Sequence, residues 1–518
     1  MRRSNGGIIG PDIVTTGGPT GAASGVFKLG EVTDLIRQNK WPTVSPFPAN
    51  VTPNSCRFNT ASSDYLNRTQ TAGNRKKWTW SAWVKKSSTG ANQSLCVAYQ
   101  DSANWTSINF ETSDQLNFYE YQGSSVVGQK KLSMMSRDTN GWYHFMIIWD
   151  SENTTADDRM IIYVNGVRQT AFSASTNPAV NTSTAMNRNG YPVRIGTNNS
   201  NNYFNGSMSH VNFCGGSVLA PTVFGETDAT TGEWKIISDP TFTPGIGGYS
   251  ILKNGNSLTD QSANSNNFSL GGGTLTDTKD CPSTVFATWN PLNYDYANNP
   301  SSFTNGNTQV TPTQATAYNT GVSTLAMPKG NGKFYTEIKY ISSGNVNGGF
   351  GIIDMDYVNK IYYENYNLME ENTVTTIGRV FYGKNGAVVT GGGVETGSFG
   401  GTWSNGDIIQ IACDMENGAI YFGKNGTWQN SGVPTSGASR TGAVNTSAAS
   451  WWTETSQWGL WCGKKISTTD LSFQANFGNG YFGTTAVSSA GTNASNNGIF
   501  EYDVPTGYTA LSTRGLNL

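Results

Sequence analysis

Chemistry needs titratable or nucleophilic groups at workable spacings, and this sequence offers few. Its 518 residues include only two histidines, His144 and His210, both in apolar, strand-like runs. No GxSxG turn is present to display a serine nucleophile, so a Ser-His-Asp site has no support and packed strand histidines are expected. Two carboxylate pairs at i, i+2 spacing, which puts both acids on one face of a strand, are the nearest echoes of a catalytic strand. They are Asp354 and Asp356 in IIDMDY, and Asp414 and Glu416 in CDMENG. Facing acids of this kind can hydrolyse glycosides. However, the first pair lies where a strand gives way to a loop and the second runs into a turn, so solvated strand-end acids are expected. Asp157 and Asp158 could supply part of the oxygen shell of Ca²⁺, although an exposed hairpin tip is the plainer reading. No cofactor is expected, and Ca²⁺ is the one candidate ion, without a specific motif.

Aromatic residues offer more. Residues 355–372 (MDYVNKIYYENYNLMEEN) gather Tyr357, Tyr362, Tyr363 and Tyr366 in one acid-bearing, loop-like segment. Residues 451–461 (WWTETSQWGLW) hold four tryptophans, beginning with Trp451 and Trp452. Rings with polar neighbours stack on sugars or anchor protein interfaces. The four tyrosines, Trp451 and Trp452 are therefore the candidate binding residues, with core filling as the competing reading for the tryptophans.

The elements that must position these residues are strands. Phe145 to Trp149 and Met160 to Val164 are short apolar runs, and the second is closed by Asn165-Gly166. Asn-Gly accepts the positive φ of a tight hairpin turn. Residues 408–426 repeat the plan, with Asn417-Gly418 and Asn425-Gly426 as turns. In KWTWSAWVK, residues 77–85, alternation sends Trp78, Trp80, Ala82 and Val84 to one face and Thr79, Ser81 and Trp83 to the other. The first set reads as core, which leaves Trp83 open to another role. Further strands are expected at 193–196, 207–213, 332–338, 349–352 and 471–477.

Composition agrees. Charged residues make up 13% and aromatics 12% of a chain rich in glycine, which suits an all-β architecture and not a disordered chain. A net charge of −2 argues against a general nucleic-acid binder. No apolar run reaches membrane-spanning length, so no membrane insertion is expected. Met1-Arg2-Arg3 lacks the apolar core of a signal peptide, so secretion by that route is not expected. Six scattered cysteines read as buried thiols.

Residues 1–25 are too polar to form a core. Beyond them, Val26, Phe27, Leu29, Val32, Leu35 and Ile36 form a short apolar stretch, the last four at helical spacing. A proline-spaced connector follows at 42–53. One short helix of this kind is marginal alone, so it is expected to dock on its own chain or a partner.

The series WTWSAWVK, GWYHFMIIWD, IYVNG, RIG and YFNGSMSHVNF resembles laminin-G-like domains of the concanavalin A-like fold. The stretches VLAPTVFGETDATTGEWK, DQSANSNNFSL and STVFATWNPLN resemble the tail such domains carry in bacteriophage virion proteins. GKFYTEI, GFGI, NGDIIQIACDMENGAIYFGKNG and ANFGNGYF resemble a SPRY domain, while SGVFKLGEV resembles the N-terminal leader of marine-phage tail fibres. The resemblance implies two tandem antiparallel β-sandwiches, laminin-G-like at 54–230 and SPRY-like at 331–518. Residues 231–330 would be a tail and connector, and 1–53 a leader that attaches to other virion proteins. It also implies a tail fibre or similar appendage, made in the host cytoplasm and binding a host glycan or outer-membrane component. A homo-oligomer, most simply a trimer, is expected. Capsid-surface decoration and polysaccharide cleavage are the alternatives. The ExDxxE strand of concanavalin A-like glucanases is absent from the sequence.

Overall fold

The strand Lys77–Lys86 lies at the centre of the first sheet, and its two faces explain the layers around it. In the computed structural model, residues 54–518 are described except 200, 230, 293–300, 313–318, 345–347, 356–378, 391–393, 398, 446–451, 453–456, 465–469 and 518. The expected leader helix and its apolar residues lie outside the described residues. Residues 53–518 make up one compact unit.

From edge to edge, the first sheet runs Val167–Arg168, Met160–Val164, Tyr143–Asp150, Lys77–Lys86, Gly206–Gly215, Ser55–Phe58 and Thr276–Thr278. Tyr249–Ile251 also pairs with Gly206–Gly215. A second antiparallel sheet runs Phe172–Thr176, Ser125–Met135, Gln115–Gln122, Asn104–Phe110, Gln93–Asp101, Pro192–Ile195, Tyr65–Thr69 and Ser269–Gly272. Trp78, Trp80, Ala82 and Val84 point between the sheets, as their alternation requires. The rings of Trp78 and Phe118 meet across that core at 5.6 Å, as do those of Phe110 and Phe145. Each buried ring of this size stabilises the fold by roughly 1.5–3 kcal/mol.

The opposite face of Lys77–Lys86 corrects the expectation for Trp83. Residues 219–229 and 231–242 cover it, bringing Phe224 and Phe242 against Met146 and Ile148. Trp83 is 3% exposed and stacks on His144 at 5.2 Å, while Trp234 stacks on His144 from the cover at 6.0 Å. No surface role remains for Trp83.

The second sandwich repeats the plan. One sheet runs Ser301–Thr304, Gln309–Pro312, Leu471–Asn476, Lys333–Ser342, Ile408–Asp414, Ala419–Lys424 and Thr427–Trp428. Thr509–Ala510 pairs parallel to Lys333–Ser342. The facing sheet runs Asn319–Pro328, Gln457–Lys464, Gly348–Asp354, Arg379–Gly383, Val388–Thr390 and Val394–Thr396. Leu471, Phe473, Ala475 and Phe477 all enter its core. The described chain is thus nearly all-β with sheets antiparallel but for the one short strand Thr509–Ala510, as its sequence implied, and its six cysteines are buried free thiols.

Two of the Asn-Gly turns form as expected. Asn165-Gly166 and Asn425-Gly426 have φ of 48° and 75°, and 49° and 83°, which gives two-residue turns. At Asn417-Gly418 only Gly418 has positive φ, and the loop holds four residues between the paired Asp414 and Ala419. The Asp414 carboxylate holds this longer loop, accepting the Asn417 backbone N–H at 3.0 Å and its Nδ2–H at 2.8 Å.

Candidate binding face of the first sandwich

The outer faces of the two sheets differ. The first sheet's face is sealed by residues 219–229 and 231–242. The second sheet's outer face carries side chains that alternate with its core residues. In Asn104–Phe110, Ile108 and Phe110 face inward, so Trp105, Ser107 and Asn109 face out. In Gln115–Gln122, Leu116 and Phe118 face inward, so Asn117, Tyr119 and Tyr121 face out. Strand register lines these up across the sheet. One row is Asn67, Arg194, Val97, Ser107, Tyr119 and Gln129, and the next places Tyr99, Trp105 and Tyr121 side by side.

The rings pack against one another in a partly exposed aromatic cluster, the platform of this face. Trp105 and Tyr121 lie 4.0 Å apart between centroids and 30° from parallel. Trp105 Nε1–H donates to the Tyr119 hydroxyl at 3.2 Å, and the Tyr119 ring stands edge-on to the indole at 79°. Tyr99, Trp105, Tyr119, Tyr121 and Arg194 are all partly exposed. The Arg194 guanidinium lies 5.9 Å from the Tyr99 ring centre and donates to Asn199 Oδ1 at 2.7 Å. On the far side, Gln129 donates to Asn117, which donates to Glu111, and Glu111 pairs with Lys131 at 2.5 Å. That side is therefore neutral and satisfied. Partly exposed rings beside hydroxyls, amides and a guanidinium can stack on a flat polar ligand and hydrogen-bond its rim.

The structure treats the sequence candidates unevenly. Tyr357, Tyr362, Tyr363, Tyr366 and Trp451 lie outside the described residues. Trp452 corrects an expectation: it is 4% exposed, with its ring stacked on the buried Trp458 at 4.9 Å, so it fills the second core. Asp414 is likewise no solvated acid. It is fully buried, holds the 415–418 loop and pairs with Lys333 at 3.2 Å. Glu416 is exposed and reaches the same lysine at 3.6 Å. Asp354 is buried at its strand end, and Asp356 lies outside the described residues. Asp157 accepts from Asn177 and Asp158 pairs with Arg168 at 2.5 Å, both at the expected hairpin tip. No cluster of three or more potential metal-ligating side chains occurs among the described residues.

Both histidines are structural. His144 Nδ1 accepts from Trp234 Nε1–H at 3.2 Å, so its Nε2–H donates to Ser81 Oγ at 2.8 Å. His210 sits in a bulge with φ of 50° and donates from Nε2 to the Ser238 carbonyl at 3.0 Å. Burial pushes their pKa values down to about 3 and about 4, which keeps both rings neutral.

The platform residues were missed in the sequence. The signal was present in NWTSINF and QLNFYEYQ, where aromatic residues take the positions alternating with the apolar core set.

Residues 60–223 match the family model described as the concanavalin A-like lectin/glucanases superfamily. This span contains the whole ring platform. No curated protein matches the chain. Among solved structures, the chain is similar to a heptameric SAP-like pentraxin from Limulus polyphemus, at 16% identity over 40% of this chain and 98% of that one, TM-score 0.27. It is also similar to the SPRY domain of human HERC1, at 14% identity over 36% and 96%, TM-score 0.26. Domains LG4-5 of the mouse laminin alpha1 chain align over 91% and 92% at 8% identity, TM-score 0.28.

Proposed function

We propose that this chain is a non-catalytic glycan-binding protein of a bacteriophage particle, a tail fibre or similar appendage. Its 1–53 leader attaches to other virion proteins, and its sandwiches face the host surface. The observation that carries the binding role is the partly exposed ring platform of Tyr99, Trp105, Tyr119 and Tyr121. The lectin/glucanase description of the family model matched by 60–223 supports the same ligand class. Binding without cleavage is favoured because the carboxylates at the platform's margin are engaged, Glu111 by Lys131 and Asp101 by the Ala103 N–H and the Asn104 amide. The virion role rests on the resemblance of the leader and tail segments to phage proteins.

The deciding experiment is binding of the full chain to host-surface polysaccharide, wild type against Trp105→Ala. Loss of one stacking ring should weaken binding about fivefold to tenfold with folding intact. Unchanged binding sinks the platform, and release of reducing ends would favour a glycosidase. Deleting residues 1–50 should leave soluble sandwiches that no longer enter particles. Solution mass should report a homo-oligomer, most simply a trimer, and a strict monomer would remove that part of the proposal.

A further inference from the structure

Arg194 lies partly exposed on this sheet face, between Asn67 and the buried Val97, and pairs with no carboxylate among the described residues. Among the described residues its side chain makes one hydrogen bond, to Asn199, and one ring contact, to Tyr99, and it forms no ion pair. The other cation on this face, Lys131, is neutralised by Glu111. Nε of Arg194 is buried without a partner, and so is Oδ1 of Asn67, its register neighbour. A guanidinium presents five donors in a planar fork suited to a carboxylate. Here most of that fork is unclaimed by the protein, at the end of an aromatic row.

Position gives the spacing. Arg194 and Trp105 are two strands apart and one inward-outward repeat apart along the strands. At about 4.8 Å between strands and about 6.8 Å per two residues, the two side chains are rooted about 12 Å apart. A ring stacked on Trp105 and an anionic group on Arg194 would therefore belong to neighbouring sugars of one chain, with Tyr99 between them. Resting on the glycan-binding reading above, we infer that this face takes an acidic glycan. The carboxylate of a uronic or sialic acid unit lies on Arg194, and an adjoining sugar stacks on Trp105. A neutral chain would leave the guanidinium without its counter-charge, so acidic and neutral glycans are told apart here.

The test uses the full chain against a panel of uronate- and sialate-containing oligosaccharides, each paired with its carboxyl-reduced, neutral counterpart. The acidic members should bind at least about tenfold more tightly than their reduced forms, and that margin should shrink as salt rises. Arg194→Met should erase the margin, bringing the acidic forms down to the affinity of their reduced counterparts. Trp105→Ala should weaken both forms, and Arg137→Met, on a side chain away from the face, should change neither. Equal binding of acidic and reduced forms, binding of neutral members alone, or no binding at all overturns the inference. If Trp105→Ala acts but Arg194→Met does not, the face binds glycans without reading charge. If neither acts, the binding-face reading itself fails.

Discussion

Two glutamates, Glu120 and Glu337, point into the protein as hydrogen-bonded acids. Glu120 accepts from the Thr106 hydroxyl at 2.5 Å and from Gln122 Nε2–H at 3.0 Å, and burial raises its pKa to about 8. Glu337 accepts from Tyr335, Asn476 and the backbone N–H groups of Glu501 and Tyr502, and burial raises it to about 7. A carboxyl raised above its unfolded value of about 4.3 keeps its proton in the folded state while the unfolded chain has lost it. Its stabilising contribution is full below pH of about 4 and is lost as pH rises through the folded pKa. Glutamine reproduces the neutral acid without the charge. Glu120→Gln should therefore match the wild type near pH 5 and gain relative stability toward pH 9, read as the difference in unfolding midpoints. A pH-independent difference would contradict this. The neutral histidines act oppositely, because stability is lost as pH falls below about 6.5 and the unfolded rings alone take up protons. Trp452 is the clearest case of a residue whose role the sequence hid. WWTETSQWGLW has no alternation before Gln457 to assign a face, and Trp458 supplies the ring that buries it. Trp452→Ala should cost about 3–5 kcal/mol of stability of the second sandwich in denaturant unfolding. A stable variant with weakened glycan binding would return it to the surface.

At the scale of elements, long strands were legible and short ones were not. Lys77–Lys86, Tyr143–Asp150 and Leu471–Asn476 carry enough residues for period-two alternation or a continuous apolar run to show. Trp234–Ile236, Tyr249–Ile251, Ser269–Gly272 and Thr276–Thr278 span three or four residues each, too few to show a period. Their conformation is set by the strands they pair with. These pieces, which the sequence marks only as a tail, complete both sheets of the first sandwich and seal the face over Trp83 and His144. The span matching the family model ends at 223, before all of them. Residues 54–223 alone should therefore expose Met146, Ile148, Trp83 and the bare edge of Ser55–Phe58, and aggregate or bind hydrophobic dye. Residues 54–283 should be monodisperse under the same conditions. Equal behaviour in size-exclusion and dye-binding measurements would show the tail to be dispensable.

At the scale of the whole molecule, the contact that ties the two sandwiches together is carried by a residue with no sequence signature. Arg57, in the edge strand Ser55–Phe58, is 2% exposed and reaches into the second half of the chain. It donates to the Asn305 carbonyl at 2.9 Å and the Gly483 carbonyl at 2.5 Å, and its Cζ lies 5.9 Å from the Tyr481 ring centre. Burial lowers its pKa to about 10, so it stays charged at neutral pH. Nearby, Lys85 pairs with Asp280 at 2.7 Å, and Trp142 Nε1–H donates to the same carboxylate at 3.2 Å, pinning the chain where it leaves the first sandwich. Each hydrogen bond from a buried cation stabilises by roughly 1.5–3 kcal/mol, and removing the arginine also strands its carbonyl acceptors. The wild-type 53–518 unit should accordingly unfold in one transition. Arg57→Met should lower the midpoint and split the curve into two transitions, one per sandwich, in calorimetry. Arg57→Lys keeps the charge but cannot serve both carbonyls with one fork, so it should fall between the two. A single, unshifted transition in Arg57→Met would mean that the sandwiches are coupled by their apolar linker contacts, such as Phe286 and Trp289 against the second core, and not by this cation.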